Sequence, residues 1–325
     1  MPLRSNVLSS QPMSAPPPKP TSNWLVLGGC GFLGRNFVKY LLDNALAGDV
    51  RVADKRHPAT AALSAEHKAA LLHEKVEFLM SDLSVDEFVE QAFSDSRSGA
   101  PWDFVINLVA ETGHGKKEEF YAKGVEAAEK CAAAAARAGV KKFIQLSTAS
   151  VYKSEKHGAA GAEEGAAVAP WNEPAVYAAR AEAAALAGAG AALPVIILRP
   201  ALVYGPGDTS GLMTRAVVAS TFKAEKAKME FLWDGSLKLS TVHVFDVARA
   251  IYFAARKAAH GAGEGAPASP CAAPEPARTC PSHSLTPIFF FPQCTIWRTR
   301  ATATRAGWQR QSLPCWAWRR ASRGA

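Results

Sequence analysis

The chain contains no run approaching about 18 consecutive apolar residues, which excludes a conventional transmembrane helix. None of its six cysteines stands in a CxxC pair or at metal-ligand spacing. Neither a zinc site nor a disulfide framework is therefore indicated, and a reduced intracellular setting is expected. The first 20 residues lack acidic side chains and the apolar core of a secretory signal. Their three consecutive prolines and scattered serines read as a disordered leader over residues 1–21 of a cytoplasmic protein, with a short organellar targeting peptide as the alternative.

Lysine and aspartate are both missing from residue 265 onward, where eight arginines meet a single glutamate, Glu275. That segment carries +7 of the net charge of +8, so the rest of the chain stands near +1. A nucleic-acid groove spreads its basic residues over a folded face. An excess confined to one tail argues against a nucleic-acid partner.

What is present is a regular alternation. The 325 residues suffice to bury a full α/β core. Short apolar runs recur at 24–28, 49–54, 76–82, 103–110, 141–147 and 195–200. Helical periodicity fills 32–46, 61–73, 84–94 and 117–138 between them. This pattern predicts an α/β, doubly wound Rossmann-type parallel sheet with helices on both faces. Residues 22–260 are assigned to a nucleotide-binding domain with part of a small, truncated C-terminal substrate lobe, and 261–325 to an irregular basic tail. The alanine-rich stretches at 131–139 and 177–192 are strong helix formers and read as scaffold.

Gly28, Gly31 and Gly34 fall where the first strand turns into the first helix. The first allows a tight turn, the second a close approach of backbone to pyrophosphate, and the third close helix–sheet packing. The free amides at the start of that helix face the phosphates. Asp54 ends the second strand 20 positions after Gly34 and is placed to accept from an adenosine ribose. This favours NAD as cofactor. Lys55 and Arg56 follow at once and keep NADP as the alternative. Asp82, after the third strand, is placed to meet the adenine edge, to cap the following helix, or both.

Further motifs stand in order along the chain. They are Asp82-Leu83, Asn107 to Thr112 after the fourth strand, Ser147 to Tyr152 after the fifth, Leu198 to Gly207 after the sixth, and Val242 to Ala248. With the GxxGxxG spacing they resemble the extended short-chain dehydrogenase/reductase family, the NAD-dependent sugar epimerases and dehydratases. The resemblance covers about residues 23–258 and is specific for the family, not for a substrate. It implies a cofactor site from Gly28, Gly31, Phe32, Leu33, Gly34, Asp54, Asp82, Leu83, Leu108, Ala110 and Pro200. It also implies that Thr148 meets the reacting oxygen of a hydroxyl-bearing small-molecule substrate; a strand-end threonine bonding backbone is the plainer role. The family's 4,6-dehydratases carry an Asp-Glu pair where this chain has Ala149 and Ser150, which disfavours water elimination. Family members pair through two long helices. The helix at 117–138 and the one after Tyr177 are the candidates for a homodimeric four-helix bundle.

The family's base is a tyrosine followed four residues later by lysine, whose charge lowers the phenol's pKa. Here Tyr177 is present, Ala181 takes the lysine's place, and Arg180 stands one residue early. Arg180 still shares a helix face with Tyr177 and can supply charge, though a guanidinium fork does not mimic an ammonium. The other register pairs Arg180 with the lysine position and leaves Val176 for the tyrosine. Packing on the alanine-rich helix is the bland role of Tyr177. Asp246 is expected to cap the helix that follows it, and His243 either to line the cleft or to pack; neither suggests a metal.

From residue 265 no strand or helix period remains, and Trp297, Trp308, Trp316 and Trp318 crowd among arginine, proline and cysteine. Tryptophan is rare in disordered segments. A disordered extension is the plainer reading of this tail, and a retained intron followed by a shifted frame is the expected one. Residues 289–293 are what a pyrimidine-rich acceptor ending in CAG encodes. Residues 294–300, moved back one nucleotide, permit Val-Tyr-Asn-Leu-Ala-Asp-Lys. By resemblance, a Glu-x-Tyr-Asn continuation after Glu264 fits the family. The resulting expectation is an NAD-dependent oxidoreductase or epimerase with a nucleotide sugar as candidate substrate, and a nucleotide-binding sensor or scaffold as the alternative. A third reading is a chain without function because its substrate lobe is out of frame.

Overall fold

The computed structural model describes residues 21–153, 166–231 and 239–257. Within them the six apolar runs become six strands: β1 (Ser22–Leu27), β2 (Ala47–Asp54), β3 (Val76–Met80), β4 (Phe104–Asn107), β5 (Lys142–Leu146) and β6 (Val195–Leu198). They form one sheet in the order β3-β2-β1-β4-β5-β6, with every neighbouring pair parallel. The order reverses between β1 and β4, where such sheets open a crevice at their carboxyl ends.

Side chains alternate across the strands with a period of two. On β1, Trp24 and Val26 enter one core and Leu25 and Leu27 the other. The first core is covered by α1 (Phe32–Asp43), α2 (Ala65–Leu71) and α7 (Val244–Arg256). The second is covered by α3 (Asp86–Ala92), α4 (Glu118–Arg137) and α5 (Glu173–Ala189). Burial on both faces explains why the strands read as continuous apolar runs. Ser22, Arg51, Asn107 and Gln145 are the buried polar exceptions in these strands; Arg51, 5% exposed, donates to Glu77 and to the carbonyls of Ala92, Ser94 and Asp95.

The alanines of α4 and α5 let these two helices approach closely. A Cβ added to Gly188 would lie 3.0 Å from the carbonyl carbon of Glu129. Beyond β6 the chain forms a separate parallel pair, β7 (Leu202–Tyr204) with β8 (Thr241–His243), joined by a segment that holds α6 (Leu212–Ala224).

Two expected caps fall elsewhere. His243, not Asp246, caps α7: its ring accepts from the Phe245 amide, and Asp246 lies inside the first turn. Asp82 stands too early to cap α3, whose N-cap is Val85; its carboxylate closes a local turn by accepting from the Ser84 amide and hydroxyl. The expected leader, apart from Thr21, and the tail at 261–325 lie outside the described residues, as do 258–260 of the expected domain.

Candidate functional site

The eleven candidate cofactor residues lie at or just beyond the carboxyl ends of parallel strands. The turn after β1 is built from glycine for steric reasons. Gly28 has φ +80°, and a Cβ there would meet the backbone of Leu108 at 3.1 Å. A Cβ on Gly34 would lie 2.6 Å from the Gly28 carbonyl oxygen. The turn thus lies against the β4 exit on one side and against α1 on the other. α1 starts at Phe32 without a side-chain cap or an acidic residue in its first turn. The first-turn amides of Phe32, Leu33 and Gly34 therefore sit where an anion finds donors and a favourable dipole.

Asp54 ends β2 beneath this turn. One carboxylate oxygen accepts from the Cys30 amide at 2.9 Å and the other from the Arg56 amide at 2.8 Å. The backbone thus fixes the carboxylate's orientation, while each oxygen keeps a lone pair for a further donor. Asp82 lies 3.4 Å from Lys123, and its carboxyl is held below the usual range, first by the Ser84 hydroxyl. Leu83 is buried, Leu108 half-buried and Ala110 exposed. Cys30, inside the turn, is 1% exposed, and burial pushes its thiol up to about 12.

Across the switch point, the exits of β5 and β6 are tied together. The Ser147 amide donates to Leu198 and the Ala149 amide to Pro200, at 2.7 and 2.8 Å. Thr148 stands between them, and its hydroxyl accepts from the Ser150 amide at 3.2 Å. The backbone contact is the plainer role foreseen for it, and its hydroxyl proton remains available to an acceptor.

Tyr177 lies on the α4 side of α5. Its ring stacks on Tyr121 with centroids 5.0 Å apart, and its hydroxyl donates to Glu118 at 2.8 Å. The Arg180 guanidinium lies over the same ring at 4.7 Å. The Glu118 carboxylate raises the phenol's pKa, and this outweighs the lowering by Arg180. Arg180 acts on the phenol in the direction the absent lysine would, and Glu118 acts against it. Among the described residues, no hydrogen bond brings Thr148 and Tyr177 together.

Sequence reasoning missed three groups here. Glu118, 59 positions from Tyr177, carried no signal. A second cluster holds the face of α5 turned to the β5 exit: Arg199 binds Glu182 through two nitrogens at 2.8 and 2.5 Å and the Tyr152 hydroxyl at 2.8 Å. Burial alone would lower the Arg199 pKa, but Glu182 and Tyr152 raise it further than burial lowers it. The third group is Arg35 and Asn36 on α1, which donate to the carbonyls of Gly207 and Pro206, each at 3.0 Å. Asn36 in turn meets His67 at 3.1 Å.

The family model described as the NAD dependent epimerase/dehydratase family matches residues 24–265. A 2-alkyl-3-oxoalkanoate reductase of Stenotrophomonas maltophilia is 28% identical over 73% of this chain and 66% of its own length. Among solved structures, the dTDP-glucose 4,6-dehydratase of Bacillus anthracis in complex with NAD is 25% identical, with a TM-score of 0.60 over 73% of this chain and 72% of that one. The UDP-glucose 4-epimerase of Thermus thermophilus in complex with NAD is 26% identical, with a TM-score of 0.57 over 72% of this chain and 75% of that one. The chain spans 40%, 66% and 54% of the length of the curated relatives it matches.

Proposed function

The chain belongs to the NAD-dependent epimerase/dehydratase family, and from that premise we propose that residues 22–260 bind NAD and serve an oxidoreductase or epimerase acting on a nucleotide sugar. The observation that carries this reading is the glycine turn, where only an absent Cβ leaves room between backbone and backbone at Gly28 and Gly34. The residues present fit a dinucleotide. The uncapped start of α1 receives the pyrophosphate. Asp54, oriented by two amides, accepts from the adenosine ribose. Asp82 and Leu83 border the adenine, and Leu108, Ala110 and Pro200 flank the crevice at the strand exits.

NAD, when bound, supplies the hydride acceptor. The remaining work falls to the chain's own side chains. Thr148 orients the substrate oxygen through its free hydroxyl proton. Tyr177 holds a proton at its phenolic oxygen and shares it with the Glu118 carboxylate, while Arg180 steadies the ring. Two such chains associate through α4 and α5. Among the described residues no helix is long and apolar enough to cross a membrane, and the cytoplasm is the proposed location.

A second reading, a cofactor-binding protein without turnover, draws support from the commitment of the Tyr177 hydroxyl to Glu118 and from Ala181 in the lysine's place. The test is to titrate the purified chain with NADH by fluorescence and then to incubate it with NAD and UDP-glucose, UDP-galactose and dTDP-glucose. Sugar conversion that Tyr177→Phe abolishes supports the enzyme. Tight NADH binding without conversion supports the second reading, and failure to bind NADH overturns both.

A further inference from the structure

Arg199 and Glu182 are charged side chains that the proposed chemistry leaves without a task. Glu182, on α5, is buried, and the Arg199 side chain, at the β6 exit, is 16% exposed. The guanidinium grips both carboxylate oxygens, at 2.8 and 2.5 Å, and its remaining arm donates to the hydroxyl of buried Tyr152 at 2.8 Å. Stability alone does not require such a pair, because apolar residues of similar volume often serve a fold as well. What the pair adds is direction: a planar fork fixes the orientation of its acceptors as well as their distance.

Three segments of chain meet at this fork. Glu182 lies about one and a half turns beyond Tyr177 on the same helix. Tyr152 closes the short 3-10 turn Ala149–Val151, and Thr148 caps the other end of that turn. Arg199 stands between Leu198 and Pro200, whose carbonyls accept from the Ser147 and Ala149 amides on either side of Thr148. The backbone clamp and the side-chain fork thus hold the Thr148 segment from both ends. Val151, Tyr152 and Ala175 also pack the turn against α5, but apolar contact has no preferred direction.

Resting on the roles given above to Thr148 and Tyr177, we propose that Arg199 and Glu182 are positioning residues: their fork sets the bearing of Thr148 relative to the helix that carries Tyr177. Among the described residues no hydrogen bond joins those two hydroxyls, so their separation depends on the elements that carry them. The fork is a directional link between those elements. Without it the Thr148 hydroxyl drifts from the reacting oxygen while the cofactor turn, built on other strands, stays as it is. Such a loss of orientation falls on turnover more than on binding.

The test exchanges the pair as a unit. Arg199→Met with Glu182→Leu leaves no unpaired charge, so the full chain should melt within about 4 °C of the parent. Its NADH affinity should hold within about threefold. The Ala149 and Ser150 amides, bonded to Pro200 and to the Thr148 hydroxyl, should exchange with solvent at least about 10-fold faster. With the nucleotide sugar that the parent converts, kcat should fall by about 30- to 100-fold while KM stays within about threefold. Unchanged exchange, an unchanged kcat, or a loss carried by KM overturns the proposal. Exchange is read without cofactor or substrate, so a parent that converts no sugar refutes the proposed function while exchange still decides whether the fork sets the Thr148 segment. If the double variant does not fold, Tyr152→Phe decides, because it keeps the ion pair and removes the hydroxyl. It should speed exchange of the same amides by at least about threefold, and a Tyr152→Phe protein that exchanges like the parent overturns the proposal.

Discussion

In an ordinary helix interior, replacing glycine with alanine stabilises by about 1 kcal/mol. At Gly34, in the first turn of α1, the structure opposes that gain. The added carbon would lie 2.6 Å from the Gly28 carbonyl oxygen and 2.8 Å from the carbonyl carbon of Gly29. Both belong to backbone, so no side chain can swing aside, and the turn must open by about 0.8 Å to reach ordinary contact. Overpacking of this kind costs about 1–3 kcal/mol, here toward the upper end. The net loss is about 1–2 kcal/mol, a fall in Tm of about 2–8 °C for a domain of this size. The opening also displaces the first-turn amides, so NADH affinity should fall by about 10- to 100-fold. Gly124→Ala is the matched control. It also lies inside a helix, α4, but its new Cβ meets nothing nearer than 3.6 Å, so its Tm should hold or rise. Calorimetry and NADH fluorescence titration read both effects. A Gly34→Ala protein that melts no lower than the parent and binds NADH within about threefold would refute the packing argument.

Glu182→Ala leaves the Arg199 guanidinium, whose side chain is 16% exposed, without its carboxylate. The expected cost is about 3–5 kcal/mol by urea unfolding, and a loss below about 1 kcal/mol would show the pair to be solvated. Burial first, then Arg35 and Lys39, hold the His67 imidazole below its usual pKa. The unfolded chain therefore takes up a proton at higher pH than the folded one. The stability from neutral His67 is complete above about pH 7 and is lost as pH falls toward the lowered folded value. Thermal melts at pH 7.5 and 5.5 should show a smaller pH-dependent loss for His67→Asn than for the parent; equal losses would count against this. Tyr177 holds its proton chiefly through Glu118. Glu118→Gln should therefore lower the phenol's midpoint in an ultraviolet tyrosinate titration, identified by its absence in Tyr177→Phe, and an unmoved midpoint would remove Glu118 from the site.

The strands were legible because burial on both faces makes them predominantly apolar, and the cofactor candidates because each lies at or just after a strand end. The run at 103–110 reads as too long a strand for a specific reason. Leu108 leaves the sheet to pack its backbone against Gly28, and an apolar side chain does not reveal that departure. The capping errors at Asp82 and Asp246 share a cause. A carboxylate near a helix start satisfies the sequence rule, but the φ and ψ of Val85 and His243 decide where each helix begins. What could not be read was every contact made across long stretches of chain. Glu118 with Tyr177, Glu182 with Arg199, and Arg35 with Gly207 are set by how helices settle on the sheet, which leaves no periodic trace. The sequence also gave no hint of α6: its mixed small and apolar residues match no core that the described chain provides.

The grip of Arg35 and Asn36 on Gly207 and Pro206 has a kinetic consequence. Both residues sit on the helix whose first turn closes the glycine loop, so whatever stiffens that turn also stiffens the loop leading toward α6. On the proposed function, a substrate held against that loop would meet a prepared surface only after the dinucleotide is in place. Steady-state turnover should then be ordered. On the proposed function, oxidised and reduced dinucleotide would compete for the free protein, and the proposed sugar substrate would add only to the binary complex.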